Sequence, residues 1–330
     1  MTVESGSGFA VVILAAGHGT RMKSSLPKML HPAAGRPLLE HVLRAVRPLE
    51  PVRTLVVVGH RAERLRERFA GAGVSFVVQE RQLGTGDALR AALPALAGYD
   101  GDIMVLTGDS PLLTTETLAA LRQGHRQSGA GMTLLSYLVE DPAGLGRVVR
   151  DESGRMLRIV EEKDASEAER DINEINPGLF IFDSHVVELA KRLTNDNAQG
   201  EYYVTDLPGL YLEAGLSTNI VVGQDETGLL VGVNDRAQLA SAERILRDRI
   251  RRRWLAEGVT MLAPEQTFID DTVELARDVV LEPGVVLRGT VRLAEGVTVG
   301  AYSVLEDVVI GPGEVIAPHT LRCGRDAAAD

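Results

Sequence analysis

Short, continuous apolar runs alternate with helical patterns through the first third of the chain. Phe9 to Ala16, Thr54 to Gly59, Ser75 to Val78 and Ile103 to Asp109 are such runs, rich in Val, Ile and Leu and lacking in/out alternation. That composition predicts strands buried on both faces. Between them Pro37 to Arg47, Ala62 to Phe69 and Asp87 to Leu96 carry helical spacing. Strand and helix in alternation predict an α/β layer structure around a mainly parallel sheet. Such sheets bind ligands beyond the carboxyl ends of their strands. Here those ends carry Gly17, Gly59 and Asp109.

The pattern changes near Asp235. From there to Glu257, Leu239, Ala242, Ile245, Leu246 and Ile250 recur at helical spacing, predicting one long amphipathic helix that connects two domains. Its run of arginines reads as a solvated face. A period of six follows. Ile269, Leu275, Leu281, Leu287, Leu293, Val299 and Leu305 stand six apart. Four positions after each come Val273, Val279, Val285, Val291, Val297, Ser303 and Val309, and a one-residue slip resets the pattern at Ile310 and Ile316. Two registers in phase predict a parallel β-helix, each coil burying its apolar residues against the next, in preference to an ordinary β-rich domain.

Composition narrows the function. The 330 residues suggest about two domains. A net charge of −11 argues against broad nucleic-acid binding, which needs a basic surface. No stretch approaches the roughly 18 apolar residues of a membrane span. The opening MTVESGSG lacks the basic and apolar regions of a secretory signal. A single cysteine, Cys323, excludes a disulfide framework and suits a reducing compartment. A cytoplasmic small-molecule enzyme is the expectation.

Against that acidic background one segment is basic. From Val11 to Leu39 there is no Asp or Glu, while Arg21, Lys23, Lys28 and Arg36 are present. The same segment holds Gly17 and Gly19 at the exit of the first strand, where successive backbone N–H groups can cradle an anion. Met22 stands where a dinucleotide fingerprint needs its third glycine, and Lys23-Ser24 follows Met22 rather than the glycine of a Walker loop. Taken alone, the loop favours an ordinary glycine turn with solvated cations. The seven histidines show no metal-ligand spacing, and His18 reads as a solvent-facing neighbour of the loop.

Further motifs change that balance. Leu14-x-x-Gly-x-Gly-Thr-x-Met-x4-Pro27-Lys28 resembles the signature of sugar-1-phosphate nucleotidylyltransferases. Gln79 to Gly86, Gly108-Asp109, Gly144 to Arg147, Val160 to Asp164, Glu174 to Gly178, Glu201 to Asp206 and Gly232 to Arg236 follow in one family's order. With the hexads behind them, the chain resembles the bifunctional N-acetylglucosamine-1-phosphate uridylyltransferase/glucosamine-1-phosphate acetyltransferases from about Phe9 to His319. The resemblance implies a Rossmann-like uridylyltransferase domain over residues 1–234, a linker helix over 235–257, and a short left-handed β-helix over 258–330. It also implies a form truncated in that β-helix, with acetyltransferase activity absent, and a homotrimer assembled through the β-helix.

It further implies site residues. Leu14, Ala15, Ala16 and Gly17 lie against the nucleotide, Arg21 and Lys28 hold its phosphates as the catalytic cations, and Gln79, Gly84 and Thr85 read uracil. Asp109 and Asn234 bind Mg²⁺, whose preference for few protein oxygens suits one carboxylate and one amide. Gly146, Glu161 and Asn176 hold the amino-sugar, joined by Thr107 and Gly108, with Asp109 and Asn234 also facing it; Tyr203 and Thr205 line the same pocket. Thr107 stands where relatives often have tyrosine. The implied reaction joins UTP and N-acetylglucosamine-1-phosphate to give UDP-N-acetylglucosamine and pyrophosphate, in cell-wall precursor synthesis. Two rivals are carried: the same chemistry on another base or sugar, such as thymidylyl transfer to glucose-1-phosphate, and a non-enzymatic module with a relict site.

Overall fold

The computed structural model describes residues 8–59, 62–223 and 232–324. In chain order the strands and helices begin with β1 (Phe9–Leu14), the hairpin β2 (Pro32–Ala33) and β3 (Arg36–Pro37), α1 (Leu38–Val46), β4 (Arg53–Val58), α2 (Glu63–Arg68), β5 (Ser75–Val78), α3 (Thr85–Ala92) and β6 (Asp102–Thr107). Then come α4 (Thr115–Ser128), β7 (Met132–Leu138), β8 (Gly146–Arg150), β9 (Met156–Val160), α5 (Glu167–Arg170), β10 (Glu174–Asn176), β11 (Phe180–Phe182), α6 (Val186–Leu189), α7 (Leu207–Glu213) and β12 (Thr218–Gly223). The helix α8 (Arg236–Ala256) precedes eleven short strands: β13 (Thr260–Met261), β14 (Phe268–Ile269), β15 (Glu274–Leu275), β16 (Val280–Leu281), β17 (Val286–Arg288), β18 (Arg292–Leu293), β19 (Thr298–Val299), β20 (Val304–Glu306), β21 (Val309–Ile310), β22 (Val315–Ile316) and β23 (Leu321–Cys323).

These elements form two compact units. One comprises the chain up to Leu30 together with Leu38–Asp235, the other His31–Pro37 with the chain from Arg236 onward. The first is built on a ten-stranded sheet ordered β5-β4-β1-β6-β11-β7-β10-β8-β9, with β12 also paired to β7. The predicted parallel part is β5-β4-β1-β6. Beyond β6 the sheet is mixed: β11, β10, β8 and β9 pair antiparallel, and β12 lies parallel to β7. Ala10, Val12, Leu55, Val57, Ile103 and Val105 pack with Ala88, Leu89 and Ala92 of α3. Their alternates Val11, Ile13, Val56, Val58, Met104 and Leu106 point to the other face and are fully buried too. Burial on both faces is why these strands read as unbroken apolar runs.

One buried polar group marks the end of β6 remote from its ligand-facing end. His125 of α4 meets Thr133 Oγ1 at 2.9 Å through Nδ1 and lies 3.5 Å from Asp102 through Nε2. The hydrogen bond from His125 holds the Asp102 carboxyl below its ordinary value. This histidine is a structural tie.

In the second unit the hexads wind as predicted. The strands stack into three parallel sheets, β13-β16-β19-β22, β14-β17-β20-β23 and β15-β18-β21, the arrangement of a left-handed β-helix. Leu281 sits over Val299 and Leu287 over Leu305, eighteen residues or three hexads apart. The slip falls in one turn: Leu293 is in register with Ile310, seventeen residues on. The shortened turn holds Asp307 at φ 53°. Its carboxylate accepts from the Thr290 N–H at 2.8 Å and the Thr290 hydroxyl at 3.0 Å. The slip also corrects the second register. Val308 is the buried member, at 8% exposure, and Val309 faces outward at 71%. Ser303, the polar member of that register, is fully buried, donating to Ala317 O and accepting from Thr320 N–H.

Helix α8 and the β2–β3 hairpin belong to this unit. Arg247 of α8 joins Glu243 at 2.6 Å and Asp270 at 3.2 Å, and Arg36 of the hairpin pairs with Asp271 at 2.6 Å. Ala242, Leu246, Ile250 and Trp254 form the buried stripe of α8; Leu239 and Ile245 are only half-buried. Grouping of residues 31–37 with the hexads is a feature that a division of the chain into contiguous segments does not contain.

Candidate functional site

A cleft of about 420 Å³ opens at the carboxyl ends of β1 and β6. Leu14, Ala16, Gly17, Arg21, Lys28, Gln79, Gly84, Thr85, Thr107, Asp109 and Asn234 all line it. Eleven of the eighteen residues singled out from the sequence therefore share one cavity. Parallel order explains this, because it brings the loops after β1, β5 and β6 to the same edge of the sheet.

The glycine loop is shaped by Gly19 rather than Gly17. Gly19 has φ +59°, and a Cβ there would lie 2.7 Å from Lys28 Cβ. A side chain at Gly17 would meet nothing within 4 Å and needs no left-handed backbone. Nothing in the fold calls for a glycine at 17, so its small size matters only to whatever enters the cleft.

Lys28 is the electrostatic centre. Its ammonium pairs with Asp109 Oδ2 and donates to Asn234 Oδ1 at 2.8 Å. Asn234 Nδ2 donates to Gly232 O at 3.1 Å, which turns the amide oxygen toward the lysine. The backbone N–H of Val233 donates to Asp109 O at 2.8 Å and fixes the segment carrying Asn234 beside the end of β6. The Lys28 and Asp109 side chains are 8% and 15% exposed. A carboxylate oxygen and an amide oxygen thus converge on a single cation. This is the hard, oxygen-only donor set that Mg²⁺ takes from proteins, with phosphate and water supplying the rest. Among the described residues no group of three His, Cys, Asp or Glu side chains is placed to hold a metal ion. Arg21 is exposed and lines the same cleft.

Gln79 enters from the end of β5. It is 3% exposed, and its Nε2 donates to Asp87 Oδ2 at 2.7 Å and to Gly84 O at 3.1 Å. Gly84 and Thr85 open helix α3, with Thr85 Oγ1 accepting from Val204 N–H. Gln82, also in the cleft lining, donates from Nε2 to Ala16 O. Gln82, Asp87 and Glu201 are site residues that the sequence reading quoted inside motifs or helices without assigning them a part.

The remaining residues lie elsewhere. Gly146 and Asn176 face each other across β8 and β10. A Cβ on Gly146 would stand 3.5 Å from Glu161 Oε1, which accepts from Thr205 Oγ1 at 2.9 Å. Tyr203 is nearby, its hydroxyl accepting from Gln199 at 2.7 Å. Burial raises the Glu161 carboxyl above its ordinary value; Thr205 works against this, and Asp206, Asp164 and Glu201 add to it. Asn176 Oδ1 accepts from Gly178 N–H at 2.8 Å, and Gly178 abuts Thr107 Cγ2, which connects this group to the cleft wall. Two further residues, Gly108 and Ala15, also lie outside the cleft lining. Gly108 is packed behind it, where a Cβ would meet Ala15, Met29 and Ile13. Ala15 is buried and borders an adjoining pocket that shares Gly17 and Lys28 with the cleft and is closed by Gly59, Ala62 and Leu65. Both follow from alternation along a strand and its extension: neighbours of an inward residue point away.

Comparison with known proteins accords with this geometry. The MobA-like NTP transferase domain family matches residues 11–208. Bifunctional protein GlmU of Pelobacter propionicus is 43% identical over 94% of this chain and 73% of its own length. A GlmU protein of Thermus thermophilus is 45% identical over 96% of the chain and 69% of its length. That of Streptomyces avermitilis is 46% identical over 92% of the chain and 64% of its length. The chain belongs to the GlmU family. It is a nucleotidyltransferase, and the uridylyltransferase reading of its motifs stands. The alignments with GlmU proteins span about two thirds to three quarters of those proteins' length. Among the described residues no helix is long and apolar enough to cross a membrane.

Proposed function

We propose that the cleft seats UTP and that the Gly146–Glu161–Asn176 group seats N-acetylglucosamine-1-phosphate, the products being UDP-N-acetylglucosamine and pyrophosphate. The observation that carries this reading is the convergence of Lys28, Asp109 and Asn234 beside an unobstructed Gly17. A triphosphate loses its hydration only where cations and N–H donors replace it. Gly17 leaves backbone room for phosphate, and Lys28 and Arg21, both lining the cleft, supply charge. Gln79, Gly84 and Thr85 form the base end, while Leu14 and Ala16 offer apolar wall.

The sugar phosphate is already an anion, so its oxygen needs no general base. It attacks the α-phosphorus in line; the bond between the α-phosphorus and the bridging oxygen to the β-phosphorus breaks, and pyrophosphate leaves with that electron pair. Catalysis then rests on positioning and on neutralising charge that grows on the leaving group. Lys28 and Arg21 are assigned that task. Asp109 and Asn234 are assigned to hold Mg²⁺, which when bound supplies Lewis-acid stabilisation of phosphoryl oxygens. Glu161, Asn176 and Thr205 offer hydrogen-bond partners to sugar hydroxyls and the acetamido group, with Thr107 and Tyr203 as walls.

The proposal covers uridylyl transfer; no described residue of the second unit is given a part in acetyl transfer. That unit is assigned to assembly as a homotrimer. Support comes from an outward apolar stripe, Phe268, Val286, Val304 and Leu321, on successive coils of one β-helix sheet, with Phe268 45% and Leu321 72% exposed. With UTP as its substrate, the enzyme is assigned to the cytoplasm. The deciding experiment measures pyrophosphate release from UTP with and without N-acetylglucosamine-1-phosphate and Mg²⁺, alongside dTTP with glucose-1-phosphate. Release that ignores the amino-sugar phosphate, or that prefers the thymidine pair, overturns the reading.

A further inference from the structure

Asp87 lies on the first turn of α3, a place where an acidic residue ordinarily needs no explanation beyond the helix dipole. Its contact is more specific than that. Asp87 Oδ2 accepts from Gln79 Nε2 at 2.7 Å, and the second hydrogen of the same amide goes to Gly84 O at 3.1 Å. A carboxylate and a carbonyl are both acceptors, so only the NH₂ end of the carboxamide can face them. Reversing the amide would set its oxygen against two oxygens inside a site where Gln79 is 3% exposed. Both donor hydrogens are thereby spent within the protein. What Gln79 has left for a ligand is its carbonyl oxygen, an acceptor.

We infer that Asp87 is a positioning residue that locks Gln79 as a hydrogen-bond acceptor and so selects a pyrimidine with a ring N–H over one with a ring lone pair. Uracil presents N3–H as a donor at the centre of its pairing edge, whereas cytosine presents a bare N3 acceptor there. An acceptor aimed at that position bonds the first and repels the second. Discrimination of this kind is large because the mismatched partner leaves two buried acceptors face to face. The inference deepens the assignment of Gln79 to the base and rests on that reading.

The test is the ratio of kcat/KM for UTP over CTP, with N-acetylglucosamine-1-phosphate as acceptor. A generally damaged fold lowers both terms and leaves the ratio alone. Asp87→Ala keeps a strong helix former on α3 and removes the acceptor, freeing the amide to turn; the ratio is expected to fall about 10-fold. Asp87→Asn retains an oxygen that can accept from Nε2 and is expected to keep most of the preference. A ratio unchanged within about twofold in Asp87→Ala, in protein that unfolds cooperatively, overturns the inference. Failure of the underlying reading looks different: the unaltered protein then neither binds UTP in calorimetry nor releases pyrophosphate from it.

Discussion

Removing the Lys28 ammonium is the most direct perturbation of the proposed chemistry. In Lys28→Ala, Asp109 and Asn234 lose the cation on which they converge. With both charged side chains under a fifth exposed, solvent screening is weak. Two unit charges about 4 Å apart at an effective dielectric of about 20 interact by about 4 kcal/mol. Mutagenesis of single electrostatic contacts to developing charge gives about 10²–10³ in rate, or about 2.7–4 kcal/mol. The two estimates agree, so turnover is expected to fall about 10²–10³-fold at saturating UTP. The orphaned carboxylate also lowers stability by about 1–3 kcal/mol, softened by water entering the cleft. Lys28→Arg is expected to recover only part of the rate, because a planar fork does not place a point charge between those two oxygens. The assay is single-turnover pyrophosphate release, with urea unfolding run on the same samples. Turnover within threefold of the parent, in folded Lys28→Ala, would falsify the role given to this lysine.

Other outcomes follow from the same structure. Asp109→Ala should nearly abolish Mg²⁺-dependent pyrophosphate release; a loss below about tenfold speaks against metal ligation. Gly19→Ala must hold a side chain at positive φ against Lys28 and should lose about 1–2 kcal/mol in urea titration. Gly17→Ala, with open space around it, should stay within about 0.5 kcal/mol yet raise the KM for UTP; equal destabilisation of the two undoes the contrast. Because burial raises the folded-state pKa of Glu161, the folded state binds its proton more tightly than the unfolded chain does. Stability is therefore fully present below the unfolded value near 4.5 and falls as pH rises toward the raised folded value. Glu161→Gln should flatten that slope in denaturation midpoints taken from pH 4 to pH 8. In the β-helix, Val308→Asp should cost several kcal/mol, roughly the penalty of a buried unpaired charge, while Val309→Asp leaves the melting temperature nearly unchanged.

Much of the architecture is legible in the chain because it depends on local periodicity. Unbroken apolar runs mark β1, β4, β5 and β6, since a strand covered on both faces has no polar side to display. The hexads declare the β-helix in the same way, each residue repeating the environment of the one six positions before. Where the period itself breaks, local reading sees the slip but misplaces one residue, Val309, because the turn at Asp307 absorbs the deletion before that position and makes Val308 the buried one.

The glycine loop, its cations and the amide at Gln79 are motifs of contiguous residues, and the order of the parallel strands carries them to one edge. What makes them a site is nonlocal. Lys28 meets Asn234 across 206 positions, and Gln79 is turned by Asp87 on a different element. The antiparallel half of the sheet brings Gly146, Asn176 and Glu161 together from three separate strands or strand ends. No periodicity encodes such meetings; they depend on strand order and register, which the whole chain settles at once. The chain by itself therefore determined the elements, the repeat and the residue types able to handle a charged nucleotide. The tertiary structure decided which oxygen faces which cation, because hydrogen-bond geometry exists only after the sheet is assembled.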